Sequence, residues 1–509
     1  MNARDSGTNT PTARSIHARR ALTPDGWRTD VVVRIDARGL IVAVDDAGPG
    51  RAHGAHGVTS DAGHARANGV TNDTARTPAS VVSNDTAHTG EGGESARVDV
   101  LLPAPANVHS HAFQRAMAGL AERRDARVAD SFWTWRVLMY RFVERLSPDD
   151  AEAIAAFNFM QMLEAGFGAV AEFHYLHHGP DGAPYTDVGE MSRRMVAAAA
   201  QTGIGMTLLP VLYLQGGCDG RPLQGGQRRF GGDPDVFQNV LAAAADAVRD
   251  LGDDGRIGVA PHSMRAVPPE LIVRSASWLP AGPVHIHAAE QPAEVDEVLA
   301  AIGARPVQWL LEQAGADARW CLVHATQMTD AETDALAASG AVAGLCPITE
   351  GSLGDGIFSG ARYRAGGGRF AIGSDSNVRI SLVEELRQLE YTQRLAQRAR
   401  AVMATPGESV GRCLLDAVVS GGAQALGRGP AGIRPGAYAD LVALDTRAIE
   451  LDGLRDDGLL DAWVFTAGEG LVRDVWCAGR HVVRDGRHVA RERIVARYRA
   501  VMRELREAL

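Results

Sequence analysis

Short apolar runs recur along this chain, and several of them end on histidine or aspartate. The first spans residues 100–108 and ends on His109, Ser110 and His111. Others follow at 170–175, 206–213, 257–263, 284–290, 320–325, 341–346 and 370–375. Most are separated by stretches rich in Ala, Leu, Glu and Arg that are long enough for a helix. Strand and helix alternating in this way predict a parallel sheet. Eight such units with polar residues at the C-terminal strand ends predict an α/β fold, a (β/α)8 barrel with its site on that face. The barrel is expected over 98–428.

The flanks follow a different pattern. Residues 20–22, 29–35 and 40–44 read as short strands, with Pro24-Asp25-Gly26 and Ala37-Arg38-Gly39 as turns. After the barrel, 439–444, 472–477 and 481–483 read as strands again. Segments 1–46 and 429–490 are therefore expected to form one small β-sandwich from both ends of the chain. Residues 47–97 are rich in Gly, Ala, Thr, Asn, Asp, Ser and His, and read as a low-complexity, disordered insertion. The tail 491–509 carries Ile494, Val495, Tyr498, Val501, Met502 and Leu505 at helical spacing.

Composition narrows the function classes. A net charge of −10 without a basic stripe disfavours nucleic acid as a partner. The uncharged stretch 195–214 holds Gln201, Thr202, Gly203, Gly205, Thr207 and Pro210, which argues for a helix, a turn and a buried strand rather than a membrane span. The five cysteines form no CxxC pair, and the N-terminus carries no signal-like apolar core. Free thiols in a reducing, cytoplasmic compartment are the expectation. The sequence contains no lysine, which excludes a lysine Schiff base, a Walker-type phosphate loop and a carboxylated lysine bridging two metals. A mononuclear metal site is favoured.

Side chains i and i+2 of a strand share a face, so His109 and His111 can grip one ion. His287 and Asp375, at the ends of the fifth and eighth runs, complete a ligand set of His109, His111, His287 and Asp375. A divalent metal there lowers the pKa of bound water to roughly 7. Asp375 can receive the water proton, His324 can orient the hydroxide, and Glu290 can carry a proton to a leaving nitrogen. The ligand types suit zinc, with iron or manganese as alternatives.

These residues carry a resemblance. Asn107–Gly119, the Ser131-Phe-Trp-Thr-Trp-Arg136 segment, Ala260–Val267, His285–Gln291 and Gly373–Ser376 resemble the amidohydrolase superfamily in its mononuclear deaminase branch. Within that branch they are most similar to the formimidoylglutamate deiminase family of bacterial histidine degradation. The resemblance implies hydrolysis of N-formimidoyl-L-glutamate to N-formyl-L-glutamate and ammonia, and a homodimer. The implied substrate has two carboxylates. Arg265 is suited to bind one bidentately, with Gln114, Tyr175 and His262 as further contacts. Arg136 reaches this site or that of a neighbouring subunit.

Two other readings share parts of this pattern. A deaminase or hydrolase acting on a purine, pyrimidine or triazine ring would use the same metal set, but Arg265 argues for an anionic substrate. A non-catalytic barrel would be expected to have lost ligands, whereas all five metal-site positions are intact.

Overall fold

The computed structural model describes residues 14–47, 95–122 and 131–507. Most of the 47–97 stretch, expected to be a disordered insertion, lies outside the described residues.

In chain order the strands are β1 (Arg14–Thr23), β2 (Gly26–Ile35), β3 (Ile41–Asp46) and β4 (Ser95–Pro103), followed by β5 (Ala106–Ser110), β6 (Ala169–His174), β7 (Gly205–Leu212), β8 (Gly255–Ile257), β9 (Ala260–Pro261), β10 (Val284–Ala288), β11 (Trp320–His324), β12 (Val342–Leu345) and β13 (Arg369–Ile372). The C-terminal strands are β14 (Leu441–Leu444), β15 (Val472–Cys477), β16 (Arg480–Arg484) and β17 (Arg487–His488).

Strands β5 to β13 form the barrel, with β8 and β9 as two pieces of its fourth strand, both paired with β7. All the pairings within it are parallel, and the circle closes through Ser110–Asp375 on one side and Val259–Val284 and Ser263–His287 on the other. Burial of both faces explains why these strands read as continuous apolar runs rather than alternating ones. Closure depends on Gly373. A Cβ at this position would fall 2.7 Å from the His109 Cβ and 2.8 Å from the His109 backbone nitrogen and oxygen. The missing side chain lets the eighth barrel strand lie against the first, which brings Asp375 to His109.

The flanking strands form one eight-stranded sheet in the order β17-β16-β15-β14-β4-β1-β2-β3. Here the period is two. Leu101, Leu441 and Ala443 turn to a core of their own with Ile16, Val31, Val33 and Trp476. Their neighbours Val100, Leu102, Val442 and Leu444 turn the other way and join the barrel core.

One expectation needs correction. The run 100–108, read above as a single barrel strand, is two strands in two sheets. It breaks at Ala104-Pro105, after which β5 enters the barrel. Proline cannot donate to a ladder, so an X-Pro step is a natural place for the chain to change sheets. Strand β4 also starts earlier than composition suggests, with Ser15 paired to Ser95 and His17 to Arg97. The C-terminal helix, Arg491–Glu507, packs against the helix Pro148–Glu164, with Phe157 and Tyr498 stacked at 3.9 Å between ring centroids.

Candidate active site

Five side chains meet at the C-terminal ends of the barrel strands. His109 lies in β5, and His111 follows directly after it. His287 lies in β10, His324 ends β11, and Asp375 follows β13. The Nε2 atoms of His109 and His111 are 3.2 Å apart, and those of His109 and His287 are 3.0 Å apart. Asp375 Oδ1 is 3.3 Å from His109 Nε2 and 3.2 Å from His111 Nε2. His324 joins the cluster with its Nε2 3.8 Å from Asp375 Oδ2.

The outer nitrogens decide what this cluster can hold. His111 Nδ1 lies 3.0 Å from the Phe173 carbonyl, and His287 Nδ1 lies 3.0 Å from the His262 carbonyl. A carbonyl only accepts, so each Nδ1 carries the proton and each Nε2 presents a lone pair. Lone pairs converging at about 3 Å repel unless a cation lies between them. Histidine and carboxylate donors with this convergence fit a divalent metal. Burial and the neighbouring imidazoles hold His287 far below the usual imidazole range, and burial brings His109 down to about 3, so both rings are neutral and able to ligate.

His324 differs. Its Nδ1 is 3.3 Å from Glu350 Oε1 and its Nε2 is 3.7 Å from Glu290 Oε1. Burial disfavours its charged form, but Glu290, Glu350 and Asp375 outweigh burial and keep it protonated well above the usual range. Burial opposes the charged form of Asp375 too, yet contact with the His109 and His111 imidazoles and the charge of His324 hold its carboxyl well below the usual range. His324 and Asp375 both have left-handed backbones, at φ 70° and 44°. Such strain costs on the order of 1–3 kcal/mol per residue and persists where the surroundings over-determine it. For Asp375 those surroundings are on hand. His111 N donates to Asp375 O at 3.0 Å, Asp375 N donates to His109 O at 2.9 Å, and Asn377 Nδ2 donates to His111 O at 3.0 Å.

Above the cluster is a pocket of about 450 Å³, lined among others by Gln114, Trp135, Arg136, Tyr175, Arg265 and Glu290. All the expected substrate contacts border it, His262 included. Arg136 reaches it from its own chain, on the helix Phe132–Val143, with Nη2 2.8 Å from the Tyr213 hydroxyl. Arg265 Nη2 is 3.6 Å from Glu290 Oε2. Gln114, expected as a substrate contact, donates its amide nitrogen to the Tyr175 hydroxyl at 2.7 Å, and its Oε1 has no partner among the described residues. Gln114 therefore offers an acceptor, which suits an N–H group.

Sequence reasoning missed several members. Glu350 holds His324 from the helix Pro347–Leu353, and nothing in its loop-like setting signals the role. Glu172 is a carboxyl inside the apolar strand β6, raised to about 8 by burial, and it accepts from Ala112 N at 2.7 Å. A lone acid in a buried run is a readable signal. Asn107 ties β5 to the Asp375 loop, accepting from the backbone nitrogens of His109 and Ser374 at 3.2 Å each.

Comparisons with known proteins agree with this geometry. The family described as "Amidohydrolase family" matches residues 100–482, and "Formimidoylglutamate deiminase HutF, N-terminal domain" matches residues 13–56. The chain is 45% identical to a formimidoylglutamate deiminase of Pseudomonas aeruginosa, over 96% of this chain and 99% of the relative. It is 25% identical to a 5-methylthioadenosine/S-adenosylhomocysteine deaminase of Natronomonas pharaonis, over 76% of this chain and 82% of the relative. Among solved structures, an amidohydrolase from Brucella melitensis superposes with a TM-score of 0.84 at 43% identity, covering 97% of this chain and 99% of that one. A family match that spans the barrel and the last strands of the sheet, with a relative alike from end to end, shows that the chain belongs to the amidohydrolase family.

Proposed function

We propose that this protein hydrolyses N-formimidoyl-L-glutamate to N-formyl-L-glutamate and ammonia, in a metal-dependent deimination. The observation that carries the reading is one pocket lined by His111, His287 and Asp375, with His109 in contact with all three beneath them, and by Arg136 and Arg265. The histidines and Asp375 suit hydrolysis at an amidine carbon, and the arginines suit a substrate with two carboxylates. The end-to-end likeness to a formimidoylglutamate deiminase supports the same substrate.

His109, His111, His287 and Asp375 would hold the ion, for which their chemistry favours zinc. When bound, such an ion makes water a nucleophile near neutral pH. The side chains do the remaining work. Asp375 takes a proton from the attacking water, whose oxygen forms the new bond to the formimidoyl carbon. His324 is protonated, so it donates from Nε2 and orients that oxygen. Glu290 passes a proton to the terminal nitrogen, the carbon–nitrogen bond breaks, and ammonia leaves. Gln114 accepts from a substrate N–H, while Arg265 and Arg136, with Tyr175 and His262 beside them, hold the glutamate carboxylates. Five free cysteines fit a reducing, cytoplasmic setting, and no helix among the described residues is long and apolar enough to cross a membrane. The family resemblance favours a homodimer.

The test is ammonia release from N-formimidoyl-L-glutamate by zinc-reconstituted protein, with Asp375→Asn as control. Activity lost in the variant supports reaction and site together. No release with metal bound, or undiminished turnover of a neutral ring by Arg265→Ala, sinks the substrate assignment.

A further inference from the structure

A second group of metal-type side chains lies behind the first. His324, Cys346 and Glu350 each offer one ligand atom, and those atoms lie within 4.8 Å of one another. His324 belongs to both groups. Its Nε2 faces Asp375 and Glu290, and its Nδ1 faces Glu350. Cys346 is buried at the end of the seventh barrel strand, and its backbone nitrogen donates to Glu350 Oε1 at 2.8 Å. Glu350 also lines a second pocket, with Gly351, Phe358, Gln388, Leu389 and Thr392, that shares no lining residue with the substrate pocket.

We propose that His324 Nδ1, Cys346 Sγ and Glu350 form a second, inhibitory site for a thiophilic divalent cation such as cadmium or excess zinc. Thiolate, imidazole and carboxylate are all ligand types that such ions accept. Binding releases two protons, one from the Cys346 thiol and one from His324 Nδ1. Thiolate and carboxylate then balance the two positive charges, so the buried site is neutral as a whole. The cation replaces the His324–Glu350 hydrogen bond and draws the imidazole toward Cys346, so that its Nε2–H no longer points at the attacking water. This inhibitory consequence rests on the reading of His324 given above; the binding does not.

The experiment is a cadmium titration of the zinc-loaded protein, following ultraviolet thiolate-to-cadmium absorption and ammonia release together. The first site has no thiol, so exchange of its metal adds no such band. The expected result is one further equivalent bound per chain, with the band, and at least a tenfold fall in activity at that equivalent. Cys346→Ser should lose both band and inhibition. Glu350→Gln, with the thiol intact, should weaken the band's titration at least tenfold, which guards against a misfolded serine variant. No further equivalent in the parent protein, or a band that survives in Cys346→Ser, overturns the proposal. If ammonia release is absent throughout, the substrate reading fails while the band still decides the second site.

Discussion

The barrel carries a buried polar cluster at each end, and the two solve the same problem in opposite ways. At the N-terminal end, Arg428 Nη2 lies 2.6 Å from Asp254 Oδ1 and 2.9 Å from Asp440 Oδ2, and Arg480 also reaches Asp254. Asp440 Oδ1 accepts from Ala478 N at 2.8 Å, and the Arg428 guanidinium stacks over Tyr438 at 4.3 Å. That network joins barrel to sheet and neutralises itself. At the C-terminal end, the Nε2 atoms of His109, His111 and His287 and an oxygen of Asp375 converge on one point. A buried charge network that closes on itself is architecture. One left open toward a common centre is a binding site.

Breaking the open cluster should cost the most function. Asp375→Asn is expected to lower ammonia release by roughly 10²–10⁴-fold, the scale of losing a proton acceptor, while leaving unfolding near that of the metal-free parent. Kinetics and denaturant unfolding on the same preparations check both halves. Breaking the closed cluster should do the reverse. Arg428→Met strands Asp440 in the interior and leaves Asp254 with Arg480 alone, with an expected loss of about 3–5 kcal/mol in urea unfolding. Turnover per folded molecule should stay close to normal, and a collapse in turnover alone would end the contrast.

Chelation probes the open cluster from outside. Metal-free protein should melt at a lower temperature and regain the difference on adding zinc. The gain is about 2.7 kcal/mol for free metal at a hundred times its dissociation constant. Arg428→Met should keep that response, and Asp375→Asn should lose most of it. On the pocket wall, Arg265→Ala should raise KM for the dianionic substrate by about 10–100-fold, the scale of one charge-assisted hydrogen bond, with a smaller effect on kcat.

The smallest effect concerns a third kind of cluster, buried and neutral. His174 and His177 face each other at 5.2 Å between ring centroids, and burial lowers His174 to about 3 and holds His177 well below the usual imidazole range. A depressed folded-state pKa means that the stabilisation is whole above the unfolded value near 6.5. It is then lost as pH falls from there toward 3. His174→Gln should flatten that acid limb of the unfolding profile. An unchanged slope would show that the ring does not stay neutral.

What could be read from the sequence divides along the same line. The open cluster is legible because it departs from its surroundings. His109, His287, His324 and Asp375 end runs that are otherwise apolar, and fully buried parallel strands mark those ends sharply. The closed cluster is not legible. Asp254, Arg428 and Asp440 sit in turns where charge is ordinary, and only the tertiary pairing shows that they are buried. The Ala104-Pro105 break stayed hidden because hydropathy is continuous across it, although the strands on either side face different neighbours. Glu350 was invisible for the reason Asp254 was, since a short polar helix gives no sign of which histidine it will hold.

The adjacency of β4 and β14 bears on how this protein is made. Leu441 pairs antiparallel with Pro103 and Leu444 with Val100, so the whole barrel is in effect the loop of a hairpin. Those contacts join residues more than 300 positions apart, and loop closure on that scale is slow. During synthesis β4 therefore presents an unpaired apolar edge until nearly the entire chain has emerged. That edge is where a nascent chain would stick to another copy of itself, and where a chaperone would do the most good.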